Sequence, residues 1–165
     1  MLNRVMVIAL ALAASTASAQ SLKIGAPAPE IDLPSLSGGR VQLSKLRGHP
    51  VVVSFWGTWC PPCRDEFPEL VKAQRTYGST GLVVLGVNGR DQEFSTKNVK
   101  KFVQEFSVPF EIALDERGRT RQTFLILGLP TTVFIDSAGV ARLVHRGPIN
   151  REELDSGIAT IRSRP

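Results

Sequence analysis

Cys60 and Cys63 are the only two cysteines among 165 residues, and two prolines separate them in Trp59-Cys60-Pro61-Pro62-Cys63. A bridge between residues three apart closes a very small loop and removes little entropy from the unfolded chain. Structural stabilisation is therefore a poor reason for the pair, and thiol chemistry is a better one. The pentapeptide lies between Val51–Phe55, an apolar, β-branched run that reads as a buried strand, and Phe67, Leu70, Val71 and Tyr77, which recur at helical spacing. A helix is expected from about Cys60 to Tyr77, ended by Gly78 and kinked at Pro68. The N-terminus of a helix presents unpaired N–H groups and partial positive charge, so a thiolate placed there is stabilised and its pKa falls. Thiolate is the attacking species in disulfide exchange, and a second thiol one turn later can reach back to resolve a mixed disulfide. Prolines are tolerated in the first turn because its amides have no helical partner. Cys60 is thus read as the exposed nucleophile and Cys63 as the more buried resolving thiol. Trp59 would shield the pair and offer partners a flat apolar contact, and Arg64 would add a nearby positive charge.

Two other chemistries use cysteine in this way. A Cys-x-x-Cys pair is half of a zinc site, but the other half would have to come from His49 and His145, with no second cysteine motif. A peroxidase needs one especially activated cysteine, and paired thiols around two prolines fit exchange better. Neither a metal nor an organic cofactor is expected.

The first nineteen residues stand apart. Arg4 supplies a basic start, Val5–Ala14 an apolar run, and Ala17-Ser18-Ala19 the small-x-small pattern of a cleavage site. The segment reads as a secretory signal peptide, residues 1–19, ahead of one domain at 20–165. The apolar run falls short of the ~20 residues that span a bilayer. Cleavage would remove one positive charge from the formal net charge of +5. The basic residues are scattered without aromatic interleaving, which argues against nucleic acid.

The elements that must position the cysteines follow from pattern. Ile31 and Leu33, then Val41 and Leu43, alternate around a Ser/Gly-rich turn and predict a β-hairpin. Leu82–Val87 reads as a second buried strand. Ser95 can cap a helix carrying Val99, Phe102, Val103 and Phe106. A short strand is expected at Phe110–Leu114 and a weaker helix near Arg117–Phe124. Thr131–Ile135, the turn Asp136–Gly139 and Val140–His145 form a strand pair. Asn150 with Glu153 resembles a capping box ahead of a last helix carrying Leu154, Ile158 and Ile161. This order predicts an α/β domain with a central mixed sheet flanked by helices.

At this point the chain resembles the thioredoxin-like proteins of bacterial cell envelopes, the TlpA, ResA and CcmG group of the AhpC/TSA-redoxin superfamily. The resemblance runs from about Ile24 to Ile161. It rests on Ile24-Gly25-Ala26-Pro27-Ala28-Pro29-Glu30 with the following hairpin, on Phe55-Trp56-Gly57-Thr58-Trp59-Cys60-Pro61-Pro62-Cys63-Arg64, on Glu66-Phe67-Pro68, and on Gly128-Leu129-Pro130-Thr131-Thr132 leading into Val133-Phe134-Ile135-Asp136. It implies a thioredoxin-like fold with an N-terminal hairpin addition and a cis bond before Pro130. It further implies that this loop lies against the cysteines and that backbone around Leu129 pairs with a bound substrate segment. From the residues alone Pro130 would read as an ordinary loop proline.

One departure matters. Thioredoxins carry a buried aspartate six residues before the first cysteine, where this chain has Ser54. The proton-handling role is expected to pass to another acid, with Asp91, three residues past Asn88, the best positional match and Glu93 close behind. The resemblance implies a reductase of disulfides in periplasmic proteins, re-reduced through a membrane thiol carrier; export follows from the leader-like first nineteen residues, and a monomer is the default expectation. Apocytochrome c and copper-site proteins are the client classes it suggests. The alternatives are an oxidant that installs disulfides and a non-enzymatic chaperone or metallochaperone module.

Overall fold

The computed structural model describes residues 22–163; the proposed leader lies outside the described residues. A five-stranded sheet forms the centre, in the order β5-β4-β3-β6-β7. Its strands are β3 (Val51–Trp56), β4 (Val83–Asn88), β5 (Glu111–Leu114), β6 (Thr131–Ile135) and β7 (Ala141–Arg146). β3 pairs parallel with β4 and antiparallel with β6, so the sheet is mixed. A separate antiparallel hairpin of β1 (Asp32–Pro34) and β2 (Arg40–Gln42) precedes it. The helices are α1 (Pro61–Tyr77), α2 (Thr96–Glu105), α3 (Arg119–Thr123) and α4 (Arg151–Arg162). The mixed sheet, the flanking helices and the extra hairpin are those expected from the sequence.

Period-two alternation on β3 divides the core. Val52 and Trp56 face a cluster with Phe67 and Leu70 of α1, Val99 and Phe102 of α2, and Leu154 and Ile158 of α4. Val51, Val53 and Phe55 face the other way, onto Ile31, Val41 and Leu43 of the hairpin region and Phe124 beyond α3. Every residue of β3 is buried, as befits a central strand covered on both faces. The caps match the sequence: Ser95 accepts from the Asn98 amide, and Asn150 and Glu153 make a reciprocal capping box. α1 runs unbroken through Pro68.

N-terminal residues pair with part of each sheet edge, which the sequence did not announce. At the β5 edge the Leu36 amide donates to Ile112 O at 2.8 Å, and Ser35 Oγ donates to Glu111 at 2.5 Å. At the β7 edge the Gly25 amide donates to Ala141 O at 2.8 Å, and the Ala28 amide donates to Gly139 O at 2.9 Å. Such pairing reduces the unpaired backbone that templates edge-to-edge association.

α4 approaches β6 closely at Gly157, where a Cβ would stand 2.8 Å from Phe134 Cδ1. Gly157→Ala should therefore destabilise the fold by about 1–3 kcal/mol, against the helix-propensity gain that alanine normally brings. Urea unfolding of the two proteins measures this directly, and an alanine variant of equal or greater stability would show that α4 does not sit tight on the sheet.

Candidate functional site

The site lies at one end of the sheet, where β3 delivers its last residue, Trp56, opposite Asn88 of β4, and where β6 begins at Thr131 opposite Phe55. Trp56 is fully buried, with ring centroids 4.6 Å from both Phe67 and Phe102. This aromatic packing fixes the strand exit against α1 and α2. The chain then turns through Gly57. A Cβ there would stand 2.8 Å from Trp59 Nε1, so a hydrogen at this position lets the indole lie across the backbone.

Cys60 is the N-cap of α1, with φ −97° and ψ 103°, and Pro61 and Pro62 fill the first helical positions. Its Sγ accepts from the Cys63 amide at 3.3 Å. The two cysteines are joined in a disulfide, with Cα atoms 5.3 Å apart. Cys63 is fully buried, and Cys60 retains a few per cent exposure. Trp59 is 46% exposed beside them. Leu129 packs against the cluster that contains both cysteines, and the Leu129–Pro130 peptide bond is cis.

The acid is not where the sequence pointed. Asp91 is turned to Arg121, 3.0 Å from Nη2, with a quarter of its side chain in solvent. Asp91 is the middle residue of the turn Arg90–Gln92 after β4, and Arg121, midway along α3, holds its carboxylate away from the buried site. Arg64, expected to lend charge to the cysteines, is instead ion-paired with Glu105 and stacked on Phe102 and Phe106, 5.1 Å from each ring centroid. His49 bonds the Gly81 carbonyl and His145 the Pro148 carbonyl.

Two buried carboxyls lie on or against the segments that carry the pair. Glu93 is a multiple acceptor. Its Oε1 takes the Thr58 amide at 2.6 Å and the Asn88 amide at 2.9 Å, and its Oε2 takes the Thr58 hydroxyl at 2.5 Å. It holds the loop that leads into Trp59 and Cys60. Glu66 lies one turn beyond Cys63, on the same face of α1, and is 1% exposed. The Ser54 hydroxyl donates to its Oε1 at 3.0 Å and the Ile149 amide to its Oε2 at 3.2 Å. Burial pushes this carboxyl from 4.5 up to about 7, against the pull of those two donors. Ser54 stands where thioredoxins place an aspartate, so the acid reaches the same region from the helix rather than the strand. The available signal was a charged residue within the buried stripe that Cys63, Phe67 and Leu70 define on α1.

The AhpC/TSA family model matches residues 24–144. The chain belongs to the AhpC/TSA family. Thioredoxin-like protein YneN of Bacillus subtilis is 34% identical over 131 residues, covering 79% of this chain and 76% of that one. Thiol-disulfide oxidoreductase ResA of Geobacillus kaustophilus is 31% identical over 142 residues, covering 86% of this chain and 80% of that one. A solved structure described as a putative thiol:disulfide interchange protein DsbE from Chlorobium tepidum superposes with a TM-score of 0.77 at 33% identity, covering 84% of this chain and 97% of that one. The protein is a thiol–disulfide oxidoreductase of the ResA/DsbE type with a thioredoxin-like fold.

The Glu66 carboxyl links acid to stability. Its folded pKa lies above its unfolded value, so its contribution is complete below about pH 4.5 and is lost as pH rises through about 7. The shift is worth about 3 kcal/mol. In urea titrations of the oxidised protein, the stability difference between wild type and Glu66→Gln should change by that order between about pH 4 and about pH 8. A constant difference across that range would refute the assignment.

Glu93→Ala leaves the Thr58 amide and the Asn88 side chain without their acceptor. Each buried orphan costs ~1–3 kcal/mol, so a loss of about 2–4 kcal/mol is expected in chemical denaturation, with Glu93→Gln milder. A loss below about 0.5 kcal/mol would mean that the loop holds its shape without this carboxylate.

Proposed function

We propose that the protein reduces disulfides of other exported proteins in the bacterial periplasm, with Cys60 as nucleophile. The observation that carries the reading is the sulfur of Cys60 at the cap of α1, accepting an amide hydrogen, with Cys63 buried behind it. In the reduced enzyme the Cys60 thiolate attacks a client disulfide, forming a mixed disulfide and expelling one client thiolate. Cys63 gives up its proton, with Glu66 one turn away as the group able to accept it near neutral pH. The Cys63 thiolate then attacks Cys60 Sγ and expels the second client thiolate. Two electrons pass to the client, and the enzyme is left as the Cys60–Cys63 disulfide. A membrane thiol carrier restores the dithiol.

Leu129 and Pro130 border this reaction, and backbone around Leu129 is the surface along which a client segment aligns. Trp59 shields the sulfurs. Asp91, paired with Arg121, has no part in the proton step. Export rests on the leader-like first nineteen residues, and among the described residues no helix is long and apolar enough to cross a membrane. The direction of electron flow rests on the connection from β4 to β6, which holds only α2, β5 and α3, without the inserted helical domain of a disulfide-installing oxidant. Haem-attachment cysteines and copper-site proteins are the candidate clients.

Cys63→Ser should accumulate mixed disulfides with envelope proteins through Cys60, and Cys60→Ser should lose turnover. Non-reducing gels of cell-envelope fractions show which variant traps clients, and trapping by Cys60→Ser alone would reverse the roles. Equilibration with thiol buffers tests the direction. A potential near that of thioredoxin, about −270 mV, or lower supports a reductase, and one near about −120 mV supports an installer of disulfides.

A further inference from the structure

The large apolar side chains left in solvent are not spread evenly. Among the described residues these are Ile24, Trp59, Phe94, Leu127 and Leu143, and the two most exposed are Phe94 at 92% and Leu127 at 83%. Both belong to loops at the same end of the sheet as the cysteines. Phe94 follows Glu93, whose carboxylate holds Thr58 two residues before Cys60. Leu127 begins the run Leu127-Gly128-Leu129-Pro130, which ends at the cis bond, and Thr131 directly after it pairs with Phe55. The backbone reaches Leu127 through Leu125 at φ 54°, a left-handed conformation that a leucine adopts only at a cost. Trp59, next to Cys60, adds a third exposed apolar side chain.

A phenylalanine and a leucine this exposed gain nothing for the fold of their own chain, and their place at the end of the sheet that carries the reactive pair points to a binding role. The covering group follows from the chemistry. A disulfide that reaches Cys60 comes to this end of the sheet, so the substrate chain is the group placed to cover them. We propose that Phe94 and Leu127 are specificity-determining residues that select client segments in which bulky apolar side chains flank the reacting cysteine. The proposal rests on the assignment of exchange to Cys60. Neither side chain takes part in the sulfur chemistry, so a small disulfide gains nothing from them. A client with apolar flanks buries them and is held while attack occurs.

The test compares three substrates of the reduced enzyme: a disulfide peptide with Leu and Phe beside its cysteines, the same peptide with Ser at those positions, and hydroxyethyl disulfide. Wild type should react with the apolar peptide about tenfold faster than with the Ser peptide, an effect of the size that well-packed apolar anchors give. The double variant Phe94→Ser, Leu127→Ser should lose that preference while its rate with hydroxyethyl disulfide stays within about twofold of wild type. Both substitutions are on exposed side chains, and the small-disulfide rate reports an intact redox centre. Equal wild-type rates on the two peptides, or a preference that survives in the double variant, would overturn the proposal. A wild type that fails with hydroxyethyl disulfide would overturn the exchange assignment itself.

Discussion

A single amide hydrogen organises the centre of this molecule. With proline at the first two positions of α1, the first N–H in the helix belongs to Cys63, and it donates to Cys60 Sγ. Helix N-termini usually offer several free amides to a negative group. Here that supply is cut to one near the sulfur, and the position of that one depends on where α1 starts. Everything around the site sets that start. Trp56 locks the strand exit between Phe67 and Phe102, the Trp59 indole lies across Gly57, and Glu93 ties Thr58 to Asn88.

The two buried carboxyls divide the work according to their donors. Glu93 receives three hydrogen bonds, two of them from the loop it holds, which suits an acceptor that ties that loop to β4. Glu66 receives two in a drier setting, and desolvation outweighs them, leaving a carboxyl able to gain or lose a proton near neutrality. The same residue type thus becomes a clamp in one place and a proton store in another.

Much of this was legible in the sequence because it is local. The caps at Ser95 and Asn150, the hairpin turn and the start of α1 at the cysteines each follow from a few adjacent residues. Pro130 required the family resemblance, since nothing in its neighbours distinguishes a cis loop. Glu66 is not legible from strand positions, because the acid sits on the helix and reaches across to Ser54, twelve residues earlier. The choice between Asp91 and Glu93 depended on Arg121, thirty residues on, which captures the first and leaves the second to turn inward. Edge pairing by the entry segment has no local signature at all, because its partners, Gly139 and Ala141, lie more than a hundred residues away.

That edge pairing also constrains how the chain is born. Residues 25–28 are made early, yet their backbone partners beside β7 are among the last parts of the sheet to be synthesised. Until those residues arrive, the entry segment has nothing to bind and the nascent sheet has one bare margin. The final closure is a long-range event of the kind that slows folding. A shortened chain beginning at the hairpin would keep every group of the redox centre and still leave the β7 margin open. Two such molecules could then satisfy each other's backbone where one intact molecule satisfies its own. The first described residues therefore stand apart from the sulfur chemistry and occupy backbone at the start of β7 that a second copy would otherwise be free to pair with.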